Sequence, residues 1–393
     1  MKIAYLINYQ LSLDLPRGDA IHINNVVRNI SFYGNDVFIV KKDVSSTSYI
    51  SNQKKIYYVG AVPGFGLFSH LYYSLKFFRD FFSIIREEKP DVIHEREVSW
   101  RTYFNLGGLA VAAICKIPYF VEVNAPICYE RGIHHSAISR KLEGLSEKFI
   151  FKLADRVIVV STVLKNYIVS SYGINEEKVV VVPNGSDENI FNPNIDGNHI
   201  LDKYGLKNKT VVCFSGSLEQ EWQGIDILLK AAASIEAIDP NIKFLIIGDY
   251  SNVIDLVEVA PKNVVFSGRI KHADIKFYLA ASDILLAPYI LKNEFANVGF
   301  YNSPIKLFEY MAMGKSIISS NMGQIAEIIQ HGENGLLIEP GDSAQLAEYI
   351  LKLADDSALR FKLGYNARMA LEDKYTWKVN AKTIMKLYEE VNL

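Results

Sequence analysis

Apolar residues along this chain fall into short unbroken runs that alternate with helical-period patterns. The runs at 3–7, 36–40, 92–94, 119–123, 156–160 and 179–182 predict strands. Several are continuous Val/Ile stretches, as in parallel sheets covered on both faces. A second series follows at 210–215, 242–247, 264–267, 284–287, 316–319 and 335–338. The stretch from Pro183-Asn184-Gly185-Ser186 through Phe191-Asn192-Pro193-Asn194 to Asp196-Gly197-Asn198 is dense in turn formers and lacks apolar periodicity, so it reads as a linker. The pattern predicts an α/β protein of two βα domains, residues 1–193 and 194–374. Open parallel sheets bind ligands beyond the carboxyl ends of their strands, so two such domains face to face would leave a cleft.

One polar–apolar pattern in the second half carries more than packing. Residues 301–314, Tyr-Asn-Ser-Pro-Ile-Lys-Leu-Phe-Glu-Tyr-Met-Ala-Met-Gly, predict a helix of roughly three turns, with Ser303 at the N-cap, Pro304 first in the helix and Gly314 at C′. The N-terminal amides and dipole favour an anion, and Lys306 adds a full charge. Glu309 lies deeper, where a carboxylate suits hydroxyl donors better than phosphate. A plain capped core helix carrying Ile305, Leu307 and Phe308 fits the segment equally well.

Composition narrows the classes. A chain of 393 residues with 49% hydrophobic and 22% charged residues is ordinary globular protein with ample core. The formal charge of −2 argues against broad nucleic-acid binding, which needs a basic face. Cys115, Cys128 and Cys213 are widely separated and read as reduced thiols of a cytoplasmic protein. The apolar start is too short for a signal peptide core, and the run from Leu109 to Cys115 is too short to span a bilayer. Membrane contact, if made, is peripheral, at the inner face. No two Asp residues are separated by a single residue, and P-loop, Gly-x-Ser-x-Gly and His-Glu-x-x-His motifs are absent.

Loops after the strands hold the candidate chemistry. Gly18 opens a helix bearing His22 after the first strand, and permits close backbone approach as readily as it serves a plain turn. Glu122, Asn124 and Glu130 surround the loop after 119–123, where the carboxylates serve a site or pair with Arg131. In the second series Gly216 and Ser217, Gln223, Gly248, and Gly268 with Arg269 stand at strand ends or before helices. Aromatic residues from Phe65 to Phe82, interleaved with Lys76, Arg79 and Arg86, form either a core helix with a basic edge or a surface for a membrane and a lipid-linked acceptor.

Taken in order, these segments resemble family 4 glycosyltransferases of the GT-B fold over nearly the whole chain. The similarity is carried by Pro90-Asp91-Val92-Ile93-His94, Glu122-Val123-Asn124-Ala125-Pro126, Ala154-Asp155-Arg156-Val157-Ile158-Val159-Val160-Ser161 and Val182-Pro183-Asn184-Gly185. In the second half it is carried by Phe214-Ser215-Gly216-Ser217, Trp222-Gln223-Gly224, Gly248-Asp249, Gly268-Arg269 and Ser282-Asp283 to Pro288. The last helix, from Tyr375-Thr376-Trp377, is similar to the one that crosses back onto the first domain, which adds 375–393 to residues 1–193.

The resemblance implies two Rossmann-like doubly wound domains, an acceptor-side first domain and a nucleotide-sugar (donor) second domain. It implies a retaining, metal-independent hexosyltransferase that uses a UDP-sugar or GDP-sugar and no cofactor. The acceptor is a glycan, lipid-linked or small-molecule hydroxyl in cell-surface polysaccharide or glycoconjugate synthesis. Glu309 matches the second Glu of the family's Glu-seven-residues-Glu signature, which binds ribose. By the same resemblance, backbone amides in the segment Asn302, Ser303, Pro304, Ile305 and Lys306 would hold diphosphate and sugar, and the loop Gly268, Arg269, Ile270 and Lys271 would border the base. Gly216, Ser217, Gln223 and Gly248 complete the donor set, His22, Glu122, Asn124 and Glu130 lie on the acceptor side, and Gly18 is the first domain's glycine loop near the diphosphate.

The departures are specific. The family's first Glu falls at Tyr301, its usual Arg and Lys fall near Ser217 and Gln223, and its N-domain His falls at Asn124. Lys306 and Arg269 remain to neutralise the leaving diphosphate, with Asn124 to orient the transferred sugar. An epimerase or phosphorylase on the same architecture, or a noncatalytic nucleotide-sugar-binding subunit, are the alternatives.

Overall fold

A computed structural model of the protein describes the chain except residues 8–10, 12, 14–16, 44–48, 52–53, 61–66, 97–105, 127–136, 293–294, 296 and 393. The described chain forms two compact units, Met1–Pro183 with Asn380–Leu393, and Asn184–Val379.

The first unit is built on a sheet of eight strands: β1 (Lys2–Ile7), β2 (Asp36–Asp43), β3 (Tyr49–Ser51), β4 (Lys54–Gly60), β5 (Val92–Arg96), β6 (Tyr119–Val123), β7 (Arg156–Val159) and β8 (Val179–Val181). Their order is β3-β4-β2-β1-β5-β6-β7-β8, and every pairing is parallel except β3 with β4. The second unit holds a six-stranded parallel sheet, β11-β10-β9-β12-β13-β14. Its strands are β9 (Thr210–Ser215), β10 (Ile242–Ile247), β11 (Val264–Gly268), β12 (Ile284–Ala287), β13 (Ser316–Ser320) and β14 (Leu336–Ile338).

Each apolar run of the sequence is a strand, and most are buried on both faces, while the edge strand β11 is half-buried throughout. In β1 Ile3 through Ile7 are all fully buried, as are Ile284 through Ala287 in β12. Such strands need no alternation. The pair β3 and β4 was not anticipated. Its apolar core is only Ile56 to Val59 after two lysines, and it adds parallel to β2 with Ile39 opposite Ile56. Tyr57 packs edge-on against Phe38, and Glu88 binds Lys2 and Lys55 beside it.

The units divide after Pro183, ten residues before the linker boundary drawn from turn formers. Residues 184–193 fold with the second unit because their backbone is bonded there. Asn184 donates its amide N–H to Ser303 Oγ at 3.1 Å and its Nδ2 to the Ser303 carbonyl at 2.6 Å. Arg368 donates to the carbonyls of Phe191 and Glu188. The return starts later than 375: Ser186 pairs with Thr376, and the last helix, Trp377–Asn392, joins the first unit from Asn380 onward. There Ala381, Ile384, Leu387 and Tyr388 are buried.

In the second sheet β9 has β10 on one side and β12 on the other, so the strand order reverses at β9. Ligands of doubly wound sheets sit at the carboxyl ends at such a reversal. The candidate residues at Gly216, Gln223 and Lys306 collect there.

Candidate active site

The helix expected over 301–314 is shorter than its pattern suggested. It spans Ile305–Ala312, little more than two turns, with Pro304 as N-cap (φ −73°, ψ 114°) and no side-chain cap. Ser303 is not the cap because its hydroxyl is committed to the Asn184 amide. Gly314 does take the C′ position, with φ +63° after Met313. Leu307, Phe308, Tyr310, Met311 and Ala312 are buried, so the core reading of the helix is also true. The opening amides of Ile305 and Lys306 precede any intrahelical acceptor and stay available to a ligand.

Lys306 is held in a cage. Its Nζ donates to Gln223 Oε1 at 2.5 Å, and lies 4.2 Å from the Phe214 ring centroid and 5.4 Å from that of Tyr289. Burial among these groups lowers its pKa from 10.5 to about 7, opposed by the negative charge of Glu309. Two glycines make the space. A Cβ on Gly216 would meet Lys306 Nζ, and one on Gly248 would meet the Gly216 carbonyl. Gln223 is buried in the turn Glu221–Gln223, and Gly224 after it has φ +73° and lies against the Pro288 carbonyl, where only glycine fits. Tyr310 accepts the Ser215 amide at 2.9 Å and so fixes the end of β9.

Glu309 stands one turn beyond Lys306 and is 5% exposed. Its Oε1 accepts from His272 Nε2 at 2.6 Å. Burial disfavours a charged His272, but the hydrogen bond and charge of Glu309 outweigh it and raise the pKa. Arg269 projects from the tip of β11 as an exposed residue whose charge, after two hydrogen bonds from Ser251, helps hold Asp249 below the usual carboxylate range. Gly268 beside it has φ +76°, and Ile270 is half-buried. Ser217 is exposed, and Asn302 is half-buried.

Tyr301 differs from its neighbours. It is 3% exposed and packs on Phe295, which meets Phe300 and Trp222. Trp222 in turn stacks on Tyr289 at 5.6 Å. An aromatic wall therefore stands where the family's first Glu would be, which explains why this chain can carry a tyrosine there.

In the first unit Glu122 is the centre. It is 1% exposed and meets five polar partners. Oε1 accepts from Arg96 Nη1 at 2.9 Å and Asn124 Nδ2 at 3.0 Å, and lies 2.6 Å from His22 Nε2 as an ion-pair contact. Oε2 accepts from Tyr5 Oη at 3.0 Å and lies 3.1 Å from His94 Nε2. Burial alone would protonate the group, but the charges of His22 and Arg96 and these hydrogen bonds hold its pKa well below the ordinary value. His94 continues the network through Nδ1 to Tyr388 Oη at 2.6 Å and stacks on Tyr5. His22, Glu122 and Asn124 are thus brought together, and Gly18 opens the helix Gly18–Phe32. Glu130, Arg131 and Cys128 lie outside the described residues. Sequence reading missed Tyr5, His94, Arg96 and Tyr388. Three polar residues, His-Glu-Arg, closing the otherwise apolar β5 were the available signal for two of them.

Sequence reading also missed His272 and the Phe214 and Tyr289 rings. His272 directly follows Gly268-Arg269-Ile270-Lys271 and opens the helix His272–Ala280, one residue past the segment singled out. Among the described residues there is no group of three or more His, Cys, Asp or Glu side chains placed to hold a metal. No described helix is long and apolar enough to cross a membrane. In the aromatic helix Leu67–Glu88, Phe77, Phe81 and Ile85 are core, while Tyr72, Leu75 and Arg79 are exposed. Phe65 and the Phe68 and Tyr73 side chains lie outside the described residues.

The two parallel sheets, with glycines, a lysine and a carboxylate at the carboxyl ends of the second, define a GT-B architecture. The Anabaena Alr3699/HepE structure in complex with UDP-glucose superposes with a TM-score of 0.72, 18% identity, and coverage of 99% of this chain and 100% of that one. Family models match in both halves, Glycosyltransferase Family 4 over residues 16–189 and Glycosyl transferases group 1 over residues 209–356. The capsular polysaccharide biosynthesis glycosyltransferase CapM of Staphylococcus aureus is 26% identical over 98% of this chain and 96% of its own length. The phosphatidyl-myo-inositol mannosyltransferase of Mycolicibacterium smegmatis is 23% identical over 100% of this chain and 94% of its own. The chain belongs to the family 4, group 1 glycosyltransferases.

Proposed function

We propose that this glycosyltransferase moves a hexose, with retention and without a metal, from a nucleoside-diphosphate sugar to an acceptor hydroxyl. A UDP-sugar is the favoured donor, with a GDP-sugar second. The observation that carries the reading is the pair Lys306 and Glu309, a cation and a buried carboxylate one turn apart on a helix that starts at the reversal point of the second sheet. A diphosphate leaving group needs preorganised positive charge, commonly the largest catalytic term. Lys306, the opening amides of its helix and Arg269 supply it, and Lys306 is the only one of these already aimed by a hydrogen bond. Glu309 accepts from the ribose diol, and residues 268–271 border the base. Asn124, oriented by Glu122, takes the place of the family's histidine at the transferred sugar. The leaving phosphate oxygen takes the acceptor proton as the new bond forms on the same face.

CapM's role in capsule synthesis and the mannosyltransferase's phosphatidyl-inositol acceptor support a glycan or lipid-linked acceptor, and the HepE complex supports UDP. The exposed Tyr72, Leu75 and Arg79 suit a protein that meets a lipid-linked acceptor at the inner face of a membrane. Thermal shift against UDP, GDP and ADP and their glucose and mannose conjugates tests the donor. A ligand at 100 times its Kd stabilises by about 2.7 kcal/mol. Transfer in EDTA, followed by the anomeric proton coupling of the product, tests metal independence and retention. A chain stabilised by no nucleoside diphosphate, or a product with inverted anomeric configuration, overturns the proposal.

A further inference from the structure

Glu309 is a carboxylate with its orientation already set. It is nearly buried, it lies on a helix fixed on its core face, and its Oε1 is held at 2.6 Å by His272 Nε2. His272 comes from a different element, at the first position of the helix His272–Ala280, with its ring 5.8 Å from that of Phe191 and its side chain 30% exposed. A carboxylate accepts through about four lone-pair directions. One bond from a fixed donor sets the carboxylate plane and leaves the other oxygen and one lone pair of Oε1 for a ligand. Among the described residues no second side-chain or backbone donor is bonded to the Glu309 carboxylate.

We infer that His272 is a positioning residue that acts through Glu309, fixing the carboxylate in the plane that receives the two ribose hydroxyls of the donor. This rests on the proposed role of Glu309 in ribose binding and adds to it the group that aims the carboxylate. A carboxylate free to rotate must be ordered when the nucleotide binds, and the entropy of that ordering weakens binding. With His272 in place the ordering is already done in the free protein. The donor atom is what matters, so glutamine, whose Nε2 falls near the imidazole Nε2, supports the same bond. Asparagine is too short to do so.

The test isolates the ribose. Isothermal titration gives Kd for UDP and for 2′,3′-dideoxyuridine diphosphate in wild type, His272→Gln, His272→Asn, His272→Ala and Glu309→Gln. The ratio of the two Kd values cancels the phosphate and base contributions and any shared loss of folded protein. Hydrogen bonds to a charged group justify a wild-type ratio of roughly tenfold to a hundredfold. The inference expects that ratio to fall to a few-fold in His272→Ala and His272→Asn and to be kept in His272→Gln. It also expects KM for the donor to rise in His272→Ala with kcat nearly unchanged. A wild-type ratio retained in His272→Ala, while Glu309→Gln abolishes it, overturns the inference and leaves the ribose reading standing. A ratio unaffected by Glu309→Gln overturns both.

Discussion

Two of the buried carboxylates, Glu122 and Glu309, show how differently one side chain can be used in one chain. Glu122 is enclosed by polar partners from β1, the helix Gly18–Phe32, β5 and the loop after β6, five in all, and has no capacity left. Among the described residues the Glu309 carboxylate has a single bonded donor, His272. A saturated carboxylate orders the groups around it, whereas an under-satisfied one near a cation is ready for a ligand. Glu122 therefore orders the groups around it and aims Asn124, and Glu309 keeps the acceptor capacity that the proposed ribose role needs.

The sharpest way to break the contrast is to remove each carboxylate. Glu122→Ala takes the Glu122 charge away from the buried Arg96, and breaking a buried pair by removing one partner costs about 3–5 kcal/mol. For a domain of this size each kcal/mol lowers the melting temperature by about 2–4 °C, so a drop of roughly 10 °C in calorimetry is expected. Glu309→Gln should leave the melting temperature almost unmoved while raising the UDP Kd roughly tenfold, the scale of one charge-assisted hydrogen bond. Equal thermal penalties for the two would end the distinction.

Next in size is Lys306→Ala. Losing one preorganised charge at a leaving group costs roughly 10²–10³ in kcat. Because burial already disfavours the charged lysine, folding should not suffer, and Gln223 turns to water or to the ligand. Single-turnover rates with full enzyme occupancy separate this from weaker binding. An active Lys306→Ala enzyme would move the charge to Arg269, whose exposed position makes it the weaker choice.

These contrasts were only partly legible in the sequence. Strand positions were, because runs such as Val157-Ile158-Val159 are buried on both faces and need no partner to be recognised. The division of the units was misplaced because Asn184 reads as a turn former, while its side chain is in fact bonded to Ser303, 119 residues away. The helix at 305 was legible from Pro304, Lys306 and Gly314, but its cap was not. Ser303 has the right chemistry for a cap, and a tertiary partner claims it. The Glu122 hub was the least legible. Its donors lie up to 117 residues from it in sequence, and no periodicity joins Tyr5 or Arg96 to it.

The charge of Lys306 also gives a pH dependence that Glu122 cannot. A folded pKa lowered to about 7 means that the lysine of the free protein is charged below that pH and neutral above it. A diphosphate binds the charged form, so UDP affinity should be highest just below pH 7. It should weaken as pH rises, at most about tenfold per unit, since one proton is taken up on binding. Titration calorimetry in buffers of different ionisation enthalpy reads that proton directly. Lys306→Met should bind more weakly with a flat profile, and a wild-type profile as flat as the mutant's would refute the assignment.

The smallest expected effect comes from the outer edge of the hub. Tyr388→Phe removes the hydroxyl 2.6 Å from His94 Nδ1 without disturbing the ring contact with Phe120. The imidazole loses a partner in a fully buried position, which costs about 1–3 kcal/mol. Glu122 keeps all five of its own partners, so Asn124 stays where it is. The variant should melt a few degrees lower and transfer sugar with unchanged kcat and KM once folded. Should kcat fall while the melting temperature holds, the hub would be part of the chemistry and not only of the frame, and the line between the two carboxylates would have to be redrawn.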